Sequence, residues 1–344
     1  MALAKISKSA LKHNLNIVKK YAPNSKVVAM VKANAYGHHI NKVVPTLKDK
    51  VDLFAVANEN EIQMVRSLST KPILLLSGFD FIENWQDFNK NNVQIVIHSF
   101  HQLALLKNIS NPIKVWLKVD TGMHRLGLSI QELNIVIKEL SLKNNIEIIA
   151  IMSHFACSDE IANPINQKQL DSFNALKNNF NKSMANSAAI LSLPKSHYQF
   201  VRPGIMLYGI SPFTKTSNEL KPVMTLSAPI LEIKNINQGE SVGYGQTWEA
   251  EKNTTIAIIA IGYGDGYPRH AKNGTPVLIN KQRCSIVGRV SMDLICVDIT
   301  NTKAKVGDSA ILWGEGLAIE EIAKCSGTIG YELTTKITQR VIFE

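Results

Sequence analysis

Short apolar segments alternate with helical patterns over the first part of the chain, and this alternation constrains the fold more than any other feature. The pattern predicts eight strands, at residues 26–32, 53–57, 73–76, 93–97, 113–119, 146–152, 182–185 and 197–201. It predicts helices, with Asn58 and Ser99 as N-caps, at 9–20, 38–48, 59–69, 82–90, 99–107, 129–143, 165–179 and 187–193. Eight strands that alternate with helices favour an α/β fold with an N-terminal (β/α)8 TIM-type barrel.

An open, doubly wound sheet is the alternative for this region. Such a sheet normally carries a glycine-rich phosphate turn after its first strand. Here the first strand is followed by Lys32-Ala33-Asn34-Ala35-Tyr36, which has no glycine. The barrel is therefore favoured.

The pattern changes near Leu220 to short β-like segments with turn residues between them. These segments, with one short helix at 318–325, predict a mainly β C-terminal domain with strands at 224–234, 255–261, 276–279, 282–287, 293–298 and 309–313. We expect the barrel domain to span residues 1–222 and the β-rich domain to span 223–344. Residues 1–7 are assigned to the first domain, with the second domain kept as an alternative for them.

Composition limits the classes of protein that remain. The net charge is +10, but the lysines are scattered singly, which indicates a solvated surface rather than a nucleic-acid site. The four cysteines form no C-x-x-C pair and do not lie at metal-ligand spacing from a histidine, so we expect buried thiols and no metal. The first residues lack the apolar core of a signal peptide, and no apolar run approaches the ~20 residues of a membrane span. A cytoplasmic protein is expected.

Chemically able side chains recur where the predicted strands end, which is where barrel enzymes place their active sites. They include Lys32, His154, Ser187 and Arg202, together with Lys118 and Arg125 around the fifth strand. A lysine that ends an apolar strand is poorly solvated, so its pKa falls and its amine becomes a nucleophile suited to a Schiff base. The alternative is a lysine that extends to water.

An anion site is predicted on the loops after strands seven and eight. Barrels often bind phosphate on these two loops through hydroxyl and backbone N–H groups. Ser187 offers a hydroxyl, and Gly204 and Ile205 offer backbone donors. The alternative is that Ser187 is only a helix N-cap and Gly204 only a turn glycine.

Several longer segments resemble the sequence motifs of the alanine racemases. They are Ala29–His39, Leu117–Gly127, Asn186–Ser187, Val201–Ile205, Glu240–Trp248, Gly262–Arg269, Gly288–Asp293 and Gly327–Glu332. The resemblance extends from Lys32 to Tyr331, and so covers most of the chain. It implies a pyridoxal 5'-phosphate (PLP) enzyme with the barrel and β-domain architecture predicted above.

The resemblance also implies roles for individual residues. Lys32 and Tyr244 correspond to the two catalytic bases, with Lys32 on the D-side and Tyr244 on the L-side. The cofactor-binding residues would be Lys32, Tyr36, His154, Asn186, Ser187, Arg202, Gly204, Ile205 and Tyr331. Arg125 and the Met292 backbone would bind the substrate carboxylate, and Lys118, Tyr263, Arg269, Arg289 and Asp293 would support the site. Arg202 would face the pyridine nitrogen and, as a group that only donates, keep that nitrogen unprotonated.

Further expectations follow from the same resemblance. Lys118 is carbamylated in some family members, which gives an anion that orients Arg125. Tyr244 and Met292 reach the cofactor from the partner subunit, so a homodimer with shared sites is expected. The implied function is interconversion of L-alanine and D-alanine, which supplies peptidoglycan synthesis. A racemase of broader specificity, such as one acting on serine, and a non-catalytic PLP-binding protein remain as alternatives.

Overall fold

The structure is a computed structural model that describes residues 1–79, 88–106 and 109–344. The predicted helix at 82–90 falls largely outside these residues, and so does the end of the helix predicted at 99–107. The chain forms two compact units. One unit comprises Lys12–Ala35 and His39–Leu207, and the other comprises Met1–Leu11, Tyr36–His38 and Tyr208–Glu344.

The first unit is a closed barrel of eight parallel strands. After β1 (Leu3–Ile6), which belongs to the other unit, the barrel strands are β2 (Lys26–Met30), β3 (Leu53–Val56), β4 (Ile73–Leu75), β5 (Val93–Ile97), β6 (Ile113–Lys118), β7 (Ile146–Met152), β8 (Asn181–Ser183) and β9 (Phe200–Val201). The barrel closes where β9 pairs with β2, with Val27 opposite Val201. The predicted (β/α)8 barrel is confirmed.

In the described residues, one helix precedes the first barrel strand and the others follow barrel strands, where the apolar periodicity is helical. They are α1 (Lys8–Tyr21), α3 (Ile40–Leu47), α4 (Glu59–Arg66), α5 (Phe100–Leu105), α6 (Ile130–Ser141), α7 (Pro164–Asn174) and α8 (Ser187–Ser192). Asn58 accepts a hydrogen bond from the Glu61 N–H, and Ser99 accepts one from the Gln102 N–H, so both predicted N-caps are confirmed. A short segment that the periodicity did not reveal, α2 (Lys32–Tyr36), follows the first barrel strand.

The second unit is an eight-stranded sheet in the order β11-β14-β13-β12-β15-β10-β1-β16. Its strands beyond β1 are β10 (Met224–Ile236), β11 (Thr254–Ile259), β12 (Pro276–Ile279), β13 (Gln282–Ile286), β14 (Ile295–Asp298), β15 (Ser309–Trp313) and β16 (Ile342–Phe343), with helices α9 (Ile319–Cys325) and α10 (Gly330–Thr335). The predicted β-rich architecture is confirmed. The N-terminal β1 pairs antiparallel with β10 and parallel with β16, so both chain ends lie in this sheet.

Neither a membrane-spanning helix nor a metal-binding cluster is present in the described residues. Within residues 1–79, 88–106 and 109–344, no helix has the length and apolar character needed to cross a membrane. Over the same part of the chain, His, Cys, Asp and Glu side chains form no group of three or more that is placed to hold a metal ion.

Candidate active site

Lys32 begins a left-handed turn at the carboxyl end of the first barrel strand. The φ angles of Ala33 to Tyr36 lie between 49° and 58°, although none of these residues is glycine. Left-handed geometry costs about 1–2 kcal/mol for each such residue, because Cβ approaches the following carbonyl oxygen. A run of four therefore holds strain that the surrounding structure must balance, as is common at functional sites.

The Lys32 amine lies in an environment that favours its neutral form. Burial lowers its pKa, and the positive charge of Arg125 lowers it further, while the carboxylate of Glu61 raises it. The predicted lowering of this pKa is thus present in the structure. A neutral amine carries the lone pair that a nucleophile or a base requires.

A turn anchored by Asp120 presents Arg125 beside this lysine. One carboxylate oxygen of Asp120 accepts the backbone N–H groups of Gly122, Met123 and His124 at 2.8–3.2 Å. Burial alone would raise the pKa of Asp120, but these hydrogen bonds and the charge of His124 outweigh burial and lower it. The Asp120 side chain therefore remains anionic and fixes the turn.

Lys118 ends β6 close to the same cations. Burial lowers its pKa to about 8, with further contributions from Arg202, Arg125 and Lys32 and an opposing one from Asp120. The carboxyl-end rim of the barrel thus brings together Lys32, Lys118, Arg125 and Arg202, whose positive charges repel one another. Such a rim is suited to anionic ligands.

Arg202, directly after β9, is buried and contacts His154, which lies two residues after β7 and is partly buried. Arg202 is only 3% exposed. It donates to the Ser183 hydroxyl at 2.6 Å, to the Ser153 carbonyl oxygen at 2.6 Å and to Nδ1 of His154 at 3.2 Å. Burial lowers the Arg202 pKa to about 10, which leaves the guanidinium charged at neutral pH.

The protonation of His154 follows from this contact. A guanidinium can only donate, so Nδ1 of His154 must accept and the ring proton must lie on Nε2. Burial lowers the His154 pKa well below its ordinary value, and the charges of Arg202 and Arg125 lower it further. His154 is consequently a neutral imidazole whose Nε2–H can donate.

Ser187 joins the loops that follow the last two barrel strands. Its hydroxyl oxygen accepts the Gly204 N–H at 2.9 Å and the Met206 N–H at 3.3 Å. Asn186, rather than Ser187, is the N-cap of α8, since its side chain accepts the Ala189 N–H at 3.1 Å. The alternative of Ser187 as the N-cap is wrong. Ile205 is buried within the same loop.

The two tyrosines that the resemblance assigns to the cofactor phosphate, Tyr36 and Tyr331, lie in the second unit. The Tyr36 ring stacks on Tyr208 at a centroid distance of 5.1 Å and lies 6.1 Å from the ring of Tyr331. Burial raises the pKa of Tyr36 to about 12, so its phenol keeps its proton. A protonated phenol donates hydrogen bonds to anions.

The remaining predicted residues lie on loops of the β-rich unit. Tyr244 is 70% exposed and Met292 is 52% exposed. The Tyr263 N–H donates to the Ser291 carbonyl at 3.0 Å, which holds the Tyr263 and Met292 loops together. Arg269 and Arg289 are exposed and line an open cleft of about 560 Å³ with His270 and Lys272.

Two residues that hold loops in place, Arg340 and Glu61, were not identified from the sequence. Arg340 donates to Asp293 at 2.5 Å and approaches Asp265 to 3.2 Å, which fixes the loop after Met292. Glu61 is 6% exposed and accepts the N–H groups of Asn34 and Ala57. Glu61 occupies the N3 position after the Asn58 cap, so the sequence pattern indicates an ordinary capping residue.

Comparison with known proteins places the chain in a family. Residues 6–212 match the family model described as alanine racemase, N-terminal domain, and residues 223–343 match alanine racemase, C-terminal domain. Curated proteins named alanine racemase are similar over their full length. One from Vesicomyosocius okutanii is 57% identical, covering 99% of this chain and 97% of the relative, and one from Mannheimia succiniciproducens is 48% identical, covering 100% and 98%.

Solved structures agree with this assignment. The biosynthetic alanine racemase of Pseudomonas aeruginosa superposes with a TM-score of 0.96 at 42% identity, covering 100% of this chain and 98% of that one. The alanine racemase of Bartonella henselae, solved with covalently bound pyridoxal phosphate, gives a TM-score of 0.91 at 31% identity, covering 100% and 99%. This chain is therefore a member of the alanine racemase family, a family of isomerases that racemise an amino acid.

Proposed function

We propose that this protein is a PLP-dependent alanine racemase that interconverts L-alanine and D-alanine. The observation that carries the proposal is the environment of Lys32. A lysine with a lowered pKa follows the first barrel strand, and the positive charge of Arg125 acts on Lys32, Lys118 and His154 at the same rim. A lysine of this kind serves both as an attachment point for a carbonyl cofactor and as a base.

The residues present fit PLP. The rim carries an excess of positive charge, which suits a phosphate and a substrate carboxylate. Buried Ser187 joins the two loops on which barrels often bind phosphate, and Tyr36 keeps a donating phenol. The residues that would hold the cofactor are Lys32, Tyr36, His154, Asn186, Ser187, Arg202, Gly204, Ile205 and Tyr331. When bound, PLP withdraws electrons from the α-carbon of the amino acid and so acidifies its α-proton.

The chain's own residues then move that proton. Lys32 Nζ accepts or returns it on the D-side, and the lowered pKa keeps the amine available as a base. Tyr244 Oη serves the opposite, L-side face. A phenol needs help to lose its proton near neutral pH, and the Nε2–H of neutral His154 is a donor that would stabilise the phenolate. Arg202 fixes the tautomer that makes this donation available.

Two anchors orient the substrate in this scheme. Arg125, on the turn held by Asp120, binds the carboxylate, and the Met292 backbone N–H provides a second contact. Lys118 supports Arg125, and Tyr263, Arg269, Arg289 and Asp293 shape the approach to the site. Tyr244 and Met292 project from the chain's surface, which suits their use by a second subunit in a homodimer.

The cellular setting is part of the same proposal. The four cysteines are free, which fits a reducing cytoplasm. There the D-alanine produced would enter peptidoglycan synthesis. We keep the domain division at residues 222 and 223, and the pairing of β1 with β10 favours assigning residues 1–7 to the second domain.

Chiral chromatography tests the function directly. Purified protein with PLP should convert L-alanine to nearly equal amounts of the two enantiomers, while L-serine reacts more slowly. Lys32→Ala should abolish the conversion, and Lys26→Ala, an exposed lysine at the start of the same strand, should not. Equal rates on serine would indicate a broader racemase. Cofactor binding through Lys32 without any conversion would indicate a PLP-binding protein and overturn the proposal.

A further inference from the structure

The strained turn that carries Lys32 is held by a carboxylate from a different helix. Glu61 lies in the first turn of α4, and its side chain is buried. Its Oε1 accepts the Asn34 N–H at 3.3 Å, and its Oε2 accepts the Ala57 N–H at 2.8 Å. One carboxylate thus joins the turn after β2 to the end of β3.

The bond to Asn34 lies at the centre of the left-handed turn. The side-chain oxygen Oδ1 of Asn34 accepts the Ile40 N–H at 2.9 Å, and the backbone carbonyl oxygen of Asn34 accepts the His39 N–H at 3.0 Å. Asn34 therefore links Glu61 to the start of α3. Since each non-glycine residue in this geometry costs about 1–2 kcal/mol, contacts of this kind decide whether the turn persists.

Glu61 also places a negative charge near Lys32, which otherwise has positively charged neighbours. Among residues 1–79, 88–106 and 109–344, the charged or titratable groups that interact electrostatically with Lys32 are Arg125, Lys118, His154 and Glu61. Arg125 lowers the Lys32 pKa, whereas Glu61 raises it. Without the carboxylate, only burial and like charges would act on the amine.

We infer that Glu61 is a positioning residue for the reaction: its buried carboxylate holds the left-handed turn through two backbone N–H groups and supplies the negative charge that balances the amine of Lys32. Glu61 touches neither substrate nor cofactor in this role. It acts through Lys32, so it keeps part of the amine population protonated and fixes where the amine points. The inference rests on the proposed role of Lys32 as a base.

The test uses the full-length protein freed of cofactor, so it does not depend on racemase activity. Lysines are labelled with an amine-reactive reagent across a pH series, and the labelling midpoints of Lys32 and Lys118 are read by peptide mass spectrometry. In Glu61→Gln the Lys32 midpoint should shift to lower pH, because the charge that raises its pKa is gone. The Lys118 midpoint should not shift to lower pH, since Glu61 acts on Lys118 only through Lys32, and a less protonated Lys32 lowers the Lys118 pKa less. Glu59→Gln removes a charge from the same helical turn and should shift neither.

Hydrogen–deuterium exchange tests whether the Glu61 carboxylate holds the left-handed turn through the two backbone N–H groups. Glutamine keeps one acceptor but turns an amide NH2 toward the other N–H, so the segment 32–36 or residue 57 should exchange faster in Glu61→Gln than in Glu59→Gln. Glu61→Asp keeps the charge with a shorter reach, so it should lose protection with a smaller midpoint shift.

Several results would overturn the inference about Glu61, and each can be told from the others. An unchanged Lys32 midpoint or unchanged exchange in Glu61→Gln overturns the inference. If the variant merely loosens the barrel, both lysine midpoints rise, which also overturns it. If Glu61→Gln does not fold, the same two readings in Glu61→Asp decide. A wild-type protein that labels as expected but does not racemise alanine would overturn the proposed function and leave the contact itself intact.

Discussion

Nη2 of Arg202 donates a hydrogen bond to Nδ1 of His154 at 3.2 Å, and this one contact sets the protonation of the histidine. Because arginine has no lone pair to offer, the ring proton must lie on Nε2. The positive charge beside the ring also disfavours a second proton. The hydrogen bond that we propose from Nε2–H of His154 to Tyr244 depends on this arrangement.

His154→Ala should slow proton transfer on the L-side far more than it weakens cofactor binding. The reason is that Nε2–H is the donor proposed to stabilise the Tyr244 phenolate. The measurement compares L-to-D and D-to-L rates with α-deuterated alanines, alongside a cofactor titration. His197→Ala, which removes another buried histidine of the barrel, is the control and should leave the isotope effects unchanged. Equal losses of rate and cofactor binding in His154→Ala would mean that His154 is only structural.

The lowered pKa of His154 also predicts how stability depends on pH. Below the ordinary histidine pKa of 6.5 the unfolded chain binds a proton at this position that the folded protein excludes. The free energy of unfolding should therefore fall as the pH drops below 6.5, and the fall should be shallower in His154→Ala. Urea unfolding at a series of pH values measures this. A variant with the wild-type slope would show that His154 is protonated in the folded state.

Ala33→Gly should stabilise the protein, although glycine usually destabilises. Ala33 is exposed and has φ 52°, where an alanine costs about 1–2 kcal/mol and a glycine almost nothing. The added freedom of the unfolded chain offsets about 0.4–1 kcal/mol of that gain. Ala104→Gly, at an exposed position of right-handed α5, should instead destabilise by about 0.5–1 kcal/mol. Denaturant unfolding of both variants checks the opposite signs, and destabilisation by Ala33→Gly would argue against the left-handed turn.

Lys118 should form a carbamate with CO2. Its pKa of about 8 leaves far more neutral amine near neutral pH than an ordinary lysine has. The neutral nitrogen bonds to the carbon of CO2 and releases one proton, and the resulting anion relieves the repulsion from Arg202 and Arg125. With ¹³C-bicarbonate, a carbamate signal should appear in the NMR spectrum of the wild type and of Lys32→Ala but not of Lys118→Ala. A spectrum without the signal at bicarbonate saturation would exclude the modification.

Two inactive variants should restore activity when mixed, if sites are shared between subunits. Lys32→Ala and Tyr244→Phe each damage a different base, and Tyr244 is 70% exposed on its own chain. After subunit exchange, each mixed dimer should regain one complete site. Racemase activity of the mixture is measured against each variant alone, with exchange followed by mass labels. No recovery after demonstrated exchange would place both residues in one chain.

Local patterns in the sequence determined the architecture. The alternation of apolar strands with helices predicts a closed barrel, and the strand ends at Lys32, Lys118 and Arg202 follow from it, because strand polarity puts all carboxyl ends at one rim. The spacing of apolar residues and the capping residues depend only on neighbours in the sequence, so they can be recognised without knowledge of the fold. The strands β1 and β16 were not predicted, because they are short and pair with segments that are distant along the chain: β1 pairs with β10 and with β16.

Tertiary structure alone decided the chemistry of the rim. Ala33 to Tyr36 have no local reason to turn left-handed, and the carboxylate that holds Asn34 comes from Glu61, 27 residues away. The Lys118 pKa of about 8 depends on Arg202, Arg125 and Lys32, which closure of the barrel brings near one another. Charges and hydrogen-bond partners act through space rather than along the chain. The sequence therefore determined which groups reach the site and that Lys32 is poorly solvated, whereas the fold determined the neighbouring charges, the hydrogen-bond partners and the strain.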